Sequence, residues 1–404
     1  MPDYDAIIIG AGIIGAATAS RLQELKPSWR IALIEKESDC AQHQTGRNSG
    51  VIHAGVYYAP GSLKAKLCVE GNRRTKAFCR EHNIAFDECG KLLVACHQKE
   101  LEGLAQLKVR AEQNGLDVDV LDGQQLAQRE PNIRGLGALF VPASGIVDYA
   151  EICRSLLSQF RERGGQIFYG CEVHKLIEKE GEVCVFYNDA NDSEGHISCQ
   201  QLIACSGIQA DKLVQSLGLD LSFRMMPFRG EYFQLSARHN QIIRHLIYPV
   251  PDPSMPFLGV HLTRMIDGSV TVGPNAVLAF GREAYRKTQL SLPDLLAMAS
   301  YSGSYRLLGR FWKAGLGELR DSMFKGAYLK RVQNYCPSLT KADLQPYRAG
   351  IRAQAVDHEG NMIDDFLFAR SQHSLVVCNA PSPAATSALP IADHILKALN
   401  LHPD

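Results

Sequence analysis

The chain has 404 residues, 46% hydrophobic and 21% charged, which excludes a disordered protein and leaves room for two domains or one large discontinuous one. Its 43 basic and 43 acidic residues cancel to a formal net charge of zero with no long basic run, so nothing points to a nucleic-acid partner. No apolar stretch is long enough to cross a bilayer, so no membrane span is expected.

The first predicted element is a strand over 4–9. It runs directly into Gly10-Ala11-Gly12-Ile13-Ile14-Gly15, a G-x-G-x-x-G turn. A helical pattern follows over 16–25, then a second apolar strand over 30–34 that ends on Glu35 and Lys36. Gly10 permits the tight turn, Gly12 lets the backbone approach a pyrophosphate, and Gly15 lets the helix pack closely on the strand. The helix start at Ile13 and Ile14 presents N–H groups and about half a positive charge to phosphates. Glu35 lies 20 residues after Gly15, where a carboxylate accepts hydrogen bonds from ribose hydroxyls and repels a 2′-phosphate. Strand, turn, helix and acid together predict a dinucleotide-binding unit.

Residues 63–82 and 98–114 read as helices, and 91–96 as a short strand. Ile146-Val147-Asp148 opens a new unit, with an amphipathic helix over 149–163 stopped by Gly164-Gly165. A strand over 166–169 and a meander over 171–187, turning at Glu180-Gly181, lead to a buried strand over 201–207. Residues 220–290 are strand-rich, with turns at Pro251-Asp252-Pro253 and Asp267-Gly268. Residues 292–324 read as helical. There Leu295, Leu296, Met298, Leu307, Leu308, Phe311, Trp312 and Leu316 interleave with Arg306, Arg310 and Lys313. That pattern fits a helix packed on its own domain first and a membrane-surface helix second. A strand over 375–378, a turn through Pro381 and Pro383, and a helix to the C-terminus close the chain.

These elements predict an α/β protein. Residues 1–82, 146–219 and 346–404 form a Rossmann-like cofactor domain, while 83–145 and 220–345 form a discontinuous α+β substrate domain built on a mainly antiparallel sheet. No internal repeat is present, which excludes a solenoid. The twelve cysteines include no C-x-x-C pair, so no zinc or iron–sulfur site is supported. Their apolar surroundings read as core thiols in a reducing, cytosolic compartment. The first strand begins at residue 4, so no targeting segment is expected ahead of it.

Four further motifs carry a resemblance. They are GRNSGVIHAG (46–55), LIACSG (202–207), YRAGIR (347–352) and NAPSPAATS (379–387). With the N-terminal unit they resemble the FAD-dependent D-amino-acid oxidase/glycine oxidase superfamily. The combination of GRNSGVIHAG, FRGEY (228–232), YPVPDP (248–253) and NAPSPAAT resembles the L-2-hydroxyglutarate oxidase/dehydrogenase group over essentially the whole chain. The resemblance implies FAD as cofactor. Gly10, Gly12, Gly15, Glu35 and Lys36 would hold its ADP half, and Val173 would meet the adenine side through its backbone. Arg47, Asn48 and Ser49 would meet the pyrophosphate and ribityl chain, and Ser206 and Gly207 would close the strand beneath the flavin. Pro383, Ala384, Ala385 and Thr386 would open the last helix toward the flavin N1–O2 edge, where donors stabilise the reduced ring.

Oxidising a 2-hydroxy acid needs a base for the hydroxyl proton and a cation for the carboxylate. Neutral histidine suits the first and planar arginine the second. His261 and His53 are both candidate bases, and His53 is also a candidate for packing on the flavin or bonding to it. Arg352 matches the family's carboxylate-binding arginine, although Ala353 follows it where the family often has proline. A dicarboxylate needs a second cation, for which Arg229 is a candidate unless it pairs with Glu231. Tyr248 is a candidate for closing the pocket. The resemblance implies oxidation of L-2-hydroxyglutarate to 2-oxoglutarate by hydride transfer to flavin. It also implies electrons passed to the quinone pool at the inner face of the inner membrane, with oxygen as a substitute acceptor. The alternative is a glycine- or sarcosine-type amine oxidase releasing hydrogen peroxide. An NAD-binding dehydrogenase or a nucleotide-binding regulator needs neither the 202–207 nor the 379–387 motif.

Overall fold

A computed structural model describes residues 1–252 and 259–402, so Pro253 of the Pro251-Asp252-Pro253 turn lies outside the described residues. The strand Tyr4–Ile9 sits between Ile31–Ile34 and Glu194–Ala204, parallel to both. Gln166–Phe168 extends the parallel sheet beyond Ile31–Ile34, and Ser374–Asn379 extends it beyond Glu194–Ala204. Both faces are covered, which explains the unbroken apolar runs. Ala6, Ile8, Ile31 and Leu33 face a core shared with the helices Ile13–Leu25, Tyr149–Glu162 and Ala388–Ala398. Ile7, Ile9, Ala32 and Ile34 alternate onto the opposite face, against Leu176, Val183 and Val185 of the meander Glu172–Lys179 and Glu182–Asn188. The helix Tyr149–Glu162 starts where the Asp148 carboxylate accepts the Ala150 N–H at 2.8 Å.

A second eight-stranded sheet carries the other half of the molecule. Its order is Leu344–Pro346, Phe233–Leu235, Val270–Gly273, His261–Arg264, Leu246–Pro249, Lys91–Ala95, Gly137–Val141 and Asp119–Asp122. All neighbours are antiparallel except Leu246–Pro249 with Lys91–Ala95. Alternation along these strands sends Leu92, Val94, Ile247 and Leu262 to one core. It sends Leu93, Ala95, Leu246 and Tyr248 to another, shared with Val51, Ala54 and Val56 of the GRNSGVIHAG segment. A small sheet pairs Phe223–Gly230 with Gly350–Asp357 and joins segments that the sequence assigns to different domains.

The 292–324 stretch forms the helices Leu292–Ala299 and Ser302–Met323, the second broken by a kink at Phe311, whose φ of −110° and ψ of 18° are not helical. Leu307 is buried, and Met298 and Phe311 pack beside it on Met226, Phe228 and Val356. One face therefore covers its own domain. The other does not: Leu308, Trp312, Leu316, Leu319 and Met323 stay exposed, joined by Leu292 and Leu296.

Candidate active site

The second core face of the large antiparallel sheet carries a run of polar side chains. His261 and Thr263 sit one repeat apart on His261–Arg264, and the His261 Nδ1 lies 3.0 Å from the Thr263 Oγ1. The Tyr248 ring stacks on the His261 imidazole with centroids 3.8 Å apart and planes 11° apart. The hydroxyls of Thr263 and Ser49 hydrogen-bond to the Tyr248 phenol, yet burial still pushes that phenol above its ordinary value. Lys91 opens the neighbouring strand, with its ammonium 4.4 Å from the centre of the Tyr248 ring and 5.3 Å from that of Tyr57. Only 1% of its surface is exposed.

His53 reaches the same cluster from the other half of the molecule. Its backbone N–H donates to the Thr386 Oγ1 at 3.1 Å, and its carbonyl accepts from the Asn72 side chain at 2.9 Å. The Thr386 hydroxyl also bonds the Tyr149 hydroxyl at 2.8 Å and the Val51 carbonyl at 3.3 Å, so the 379–387 motif is tied directly to GRNSGVIHAG. The His53 Nδ1 is sealed without a hydrogen-bond partner among the described residues, as is the Tyr57 hydroxyl.

Charge couples these groups. Burial holds His261 well below the usual imidazole range, and Lys91, Arg352 and His53 add to the shift. Burial lowers His53 likewise, with Lys91 and Lys64 contributing. Both imidazoles are therefore neutral at pH 7, the state a general base requires. Burial brings Lys91 down to about 8 and also lowers Arg352.

Arg229 is not in the cluster, which corrects its place as a second cation. Phe228 pairs with Arg352 and Arg229 with Ile351, so alternation turns Arg229 to the opposite face of the small sheet. There its guanidinium donates to the Glu231 Oε1 at 3.0 and 3.1 Å, while Ser322, Asn275 and the Lys287 ammonium, 3.4 Å from Oε2, complete the carboxylate's shell. FRGEY thus encodes a buried ion pair. Lys91, Thr263 and Tyr57 are the cluster members that sequence reasoning missed. A lysine leading KLLVA looks like a solvent-facing strand end, and the signal available was that the strand after it is wholly apolar.

The glycine turn divides its three roles as the fingerprint requires. A Cβ on Gly15 would stand 1.9 Å from the Gly10 carbonyl oxygen, and one on Gly10, at φ +99°, 2.5 Å from that of Cys205. Protein packing alone demands those two. At Gly12 a Cβ would meet only the Thr45 Oγ1, at 3.4 Å, so the protein leaves that side open. Ile13 donates its N–H to Thr45, and Ile14 follows in the first turn, half-buried. Glu35 accepts from the Ala11 N–H at 2.6 Å and the Glu37 N–H at 2.9 Å. The carbonyl of Glu35 takes the Cys171 N–H, which brings Val173 to the same edge. Lys36 is paired with Glu283 and Glu37.

Arg47 donates to the Gln42 carbonyl and lies over the Tyr285 ring at 4.1 Å. Asn48 shapes its own turn by bonding the carbonyls of Gln44 and Thr45 and the Gly50 N–H. The Ser206 Oγ and the Gln44 Nε2 are buried without a hydrogen-bond partner among the described residues, next to Gly207 at φ +53°. Orphaned buried polar atoms at Ser206 and Gln44, together with the space left at Gly12, are what a dinucleotide's own polar groups would satisfy, so the residues fit FAD. The Pro383–Thr386 turn stands ahead of the last helix rather than forming its first turn, because that helix begins at Ala388.

Comparison with known proteins agrees with this architecture. Residues 5–398 match the family model DAO, FAD dependent oxidoreductase. L-2-hydroxyglutarate dehydrogenase of Escherichia coli O17:K52:H18 (strain UMN026 / ExPEC) is 55% identical over 393 residues, covering 97% of this chain and 92% of the relative. The protein of the same name from Escherichia coli strain K12 is 54% identical with the same coverage. Among solved structures, dithionite-reduced L-alpha-glycerophosphate oxidase from Mycoplasma pneumoniae with FAD bound superposes with a TM-score of 0.79 at 23% identity, covering 98% of this chain and 94% of that one. The chain belongs to the DAO family of FAD-dependent oxidoreductases, within the group whose members carry the name L-2-hydroxyglutarate dehydrogenase.

Proposed function

We propose that the protein oxidises L-2-hydroxyglutarate to 2-oxoglutarate. The observation that carries the reading is His261, an imidazole kept neutral by burial and acted on by Arg352, in a chain whose relatives bear that substrate in their name. In this reading Gly10, Gly12, Gly15, Glu35 and Val173 hold the ADP half of FAD, and Arg47, Ser49, Ser206, Gly207 and the 383–386 turn line the rest. Bound FAD supplies the two-electron acceptor for the hydride that leaves C2. Arg352 binds the C1 carboxylate by paired hydrogen bonds and fixes C2. Thr263 accepts from the His261 Nδ1–H, which leaves Nε2 to take the hydroxyl proton as the C2–O bond becomes a carbonyl. Tyr248, stacked on His261, holds the ring's orientation and keeps water out.

Anaerobic bleaching at the flavin band near 450 nm tests this. L-2-hydroxyglutarate should bleach the holoenzyme rapidly while its D-enantiomer and glycine do not. Bleaching by glycine instead would establish the amine-oxidase alternative.

The electrons pass to the membrane quinone pool, with the outward face of the Leu292–Ala299 and Ser302–Met323 helices docked on an anionic bilayer. No helix among the described residues is long and apolar enough to cross a membrane, so this contact lies at the surface. Tyr305 and Leu308 before the kink at Phe311, and Trp312, Leu316, Leu319 and Met323 after it, are exposed, Trp312 by 55%. Every exposed charge over 302–324 is basic: Arg306, Arg310, Lys313 and Arg320. The two acids there, Glu318 and Asp321, are buried against Arg331. Apolar side chains rimmed by cations match an anionic lipid surface. Trp312→Glu with Leu316→Glu should abolish co-sedimentation with phosphatidylglycerol vesicles and reduction of quinone dissolved in them. Flavin bleaching should be unchanged. Vesicle binding that survives both substitutions would sink the docking face.

A further inference from the structure

Lys91 is buried at the centre of the cluster, and the reading of Arg229 as second cation has failed. The cost of placing an ammonium inside a protein is high unless a counter-charge meets it. Among the described residues no carboxylate lies within ion-pair distance of Lys91. Lys64, the other ammonium acting on His53, is bound to the Asp364 carboxylate at 2.9 Å. The faces of Tyr57 and Tyr248 favour a cation but do not neutralise one. Lys91 shares a sheet face with Tyr248 and His261, whereas Arg352 comes from the small sheet, and both cations act on the His261 imidazole. Two cations from separate sheets thus converge on one neutral base.

We infer that Lys91 is the receptor for the distal carboxylate of a dicarboxylate substrate, and so the residue that selects a 2-hydroxy diacid over a 2-hydroxy monoacid. This rests on the proposed 2-hydroxy acid oxidation. It assigns the two ends of the substrate: C1 to Arg352, the far carboxylate to Lys91, and the reacting hydroxyl to His261. The substrate then supplies the anion that the protein itself withholds.

The test uses the holoenzyme with L-2-hydroxyglutarate and with L-2-hydroxyvalerate, which has the same carbon count and a methyl at the far end. Lys91→Met keeps the stem and removes the charge. It should raise KM for the diacid by about 10- to 100-fold, the loss expected for a charge-assisted hydrogen bond. It should change KM for the monoacid far less than for the diacid, with FAD content unaltered. Calorimetry with glutarate and valerate should show the same split without turnover.

Equal losses on both acids would make Lys91 a positioning residue for the histidines and overturn the inference. Should Lys91→Met fail to fold, the wild type decides. His53 and His261 are neutral above pH 7, and Tyr57 and Tyr248 lie above their ordinary range. Cys68 and Cys89 are pushed up to about 12 and about 11, so Lys91, at about 8, is the group of this cluster that titrates between pH 7 and 10. Glutarate affinity should fall through that window while valerate affinity stays level; parallel pH profiles would overturn the inference. A wild-type flavin that neither acid bleaches would overturn the oxidation reading itself, whereas bleaching by the monoacid with glutarate bound no better than valerate would overturn only the role of Lys91.

Discussion

His261→Asn should lower the rate constant for flavin bleaching by L-2-hydroxyglutarate by about 10²- to 10⁴-fold, the usual share of a general base. Asparagine keeps a polar group within reach of Thr263 but gives up the ring stacked on Tyr248, so FAD content and thermal stability are measured alongside to show that the fold survives. The wild-type profile carries a second signature. The neutral imidazole is the active form, and burial with Lys91, Arg352 and His53 holds its pKa well below 6.5. The bleaching rate should therefore stay flat down through pH 6.5 and fall only as the pH drops through the lowered value. The same acid limb should be missing in His261→Asn. His53→Asn is the control: its ring has an unpartnered Nδ1 but no anchor like Thr263. A larger loss in His53→Asn than in His261→Asn would transfer the role of base to His53.

Arg352→Met should cost about 2–5 kcal/mol of transition-state binding, as truncating one partner of a buried charge pair does. That is roughly a 30- to 4,000-fold fall in kcat/KM. The loss should appear in kcat as well as KM, because the C1 carboxylate fixes the carbon from which hydride leaves. Arg352→Lys should recover only part of it, since an ammonium cannot make the paired hydrogen bonds of a guanidinium. A KM effect alone, with kcat intact, would show that Arg352 contributes binding without alignment.

The cofactor half of the molecule was legible because its signals are local. The glycines, the apolar strands and Glu35 lie within a short stretch of chain, and each demand is met by backbone geometry close by. The helices over 292–324 were half legible. Leu307 and Leu308 are adjacent in sequence, and only the fold shows that the first is buried and the second exposed. The substrate end was least legible. Arg229 and Arg352 both follow small or apolar residues in strands, but the register of the Phe223–Gly230 ladder separates them by face. Lys91 gave only a faint sign, the wholly apolar strand after it, since a charge at a strand end is ordinary until a neighbouring strand and the Tyr57 loop close over it.

The hydroxyl of Thr386 has a consequence for when this site comes into being. It joins residues 51, 53 and 149, and its bond to His53 spans 333 positions of sequence. Every group proposed to touch substrate precedes that threonine in the chain, Lys91 and His261 by far and Arg352 by a short stretch. A growing chain thus holds His53, Lys91, His261 and Arg352 before it has the strut that fixes His53. The long separation makes closure of this wall a late event in folding. The finished site accordingly depends on the 379–387 segment, and a nascent chain that still lacks Thr386 has no hydroxyl to hold the His53 backbone.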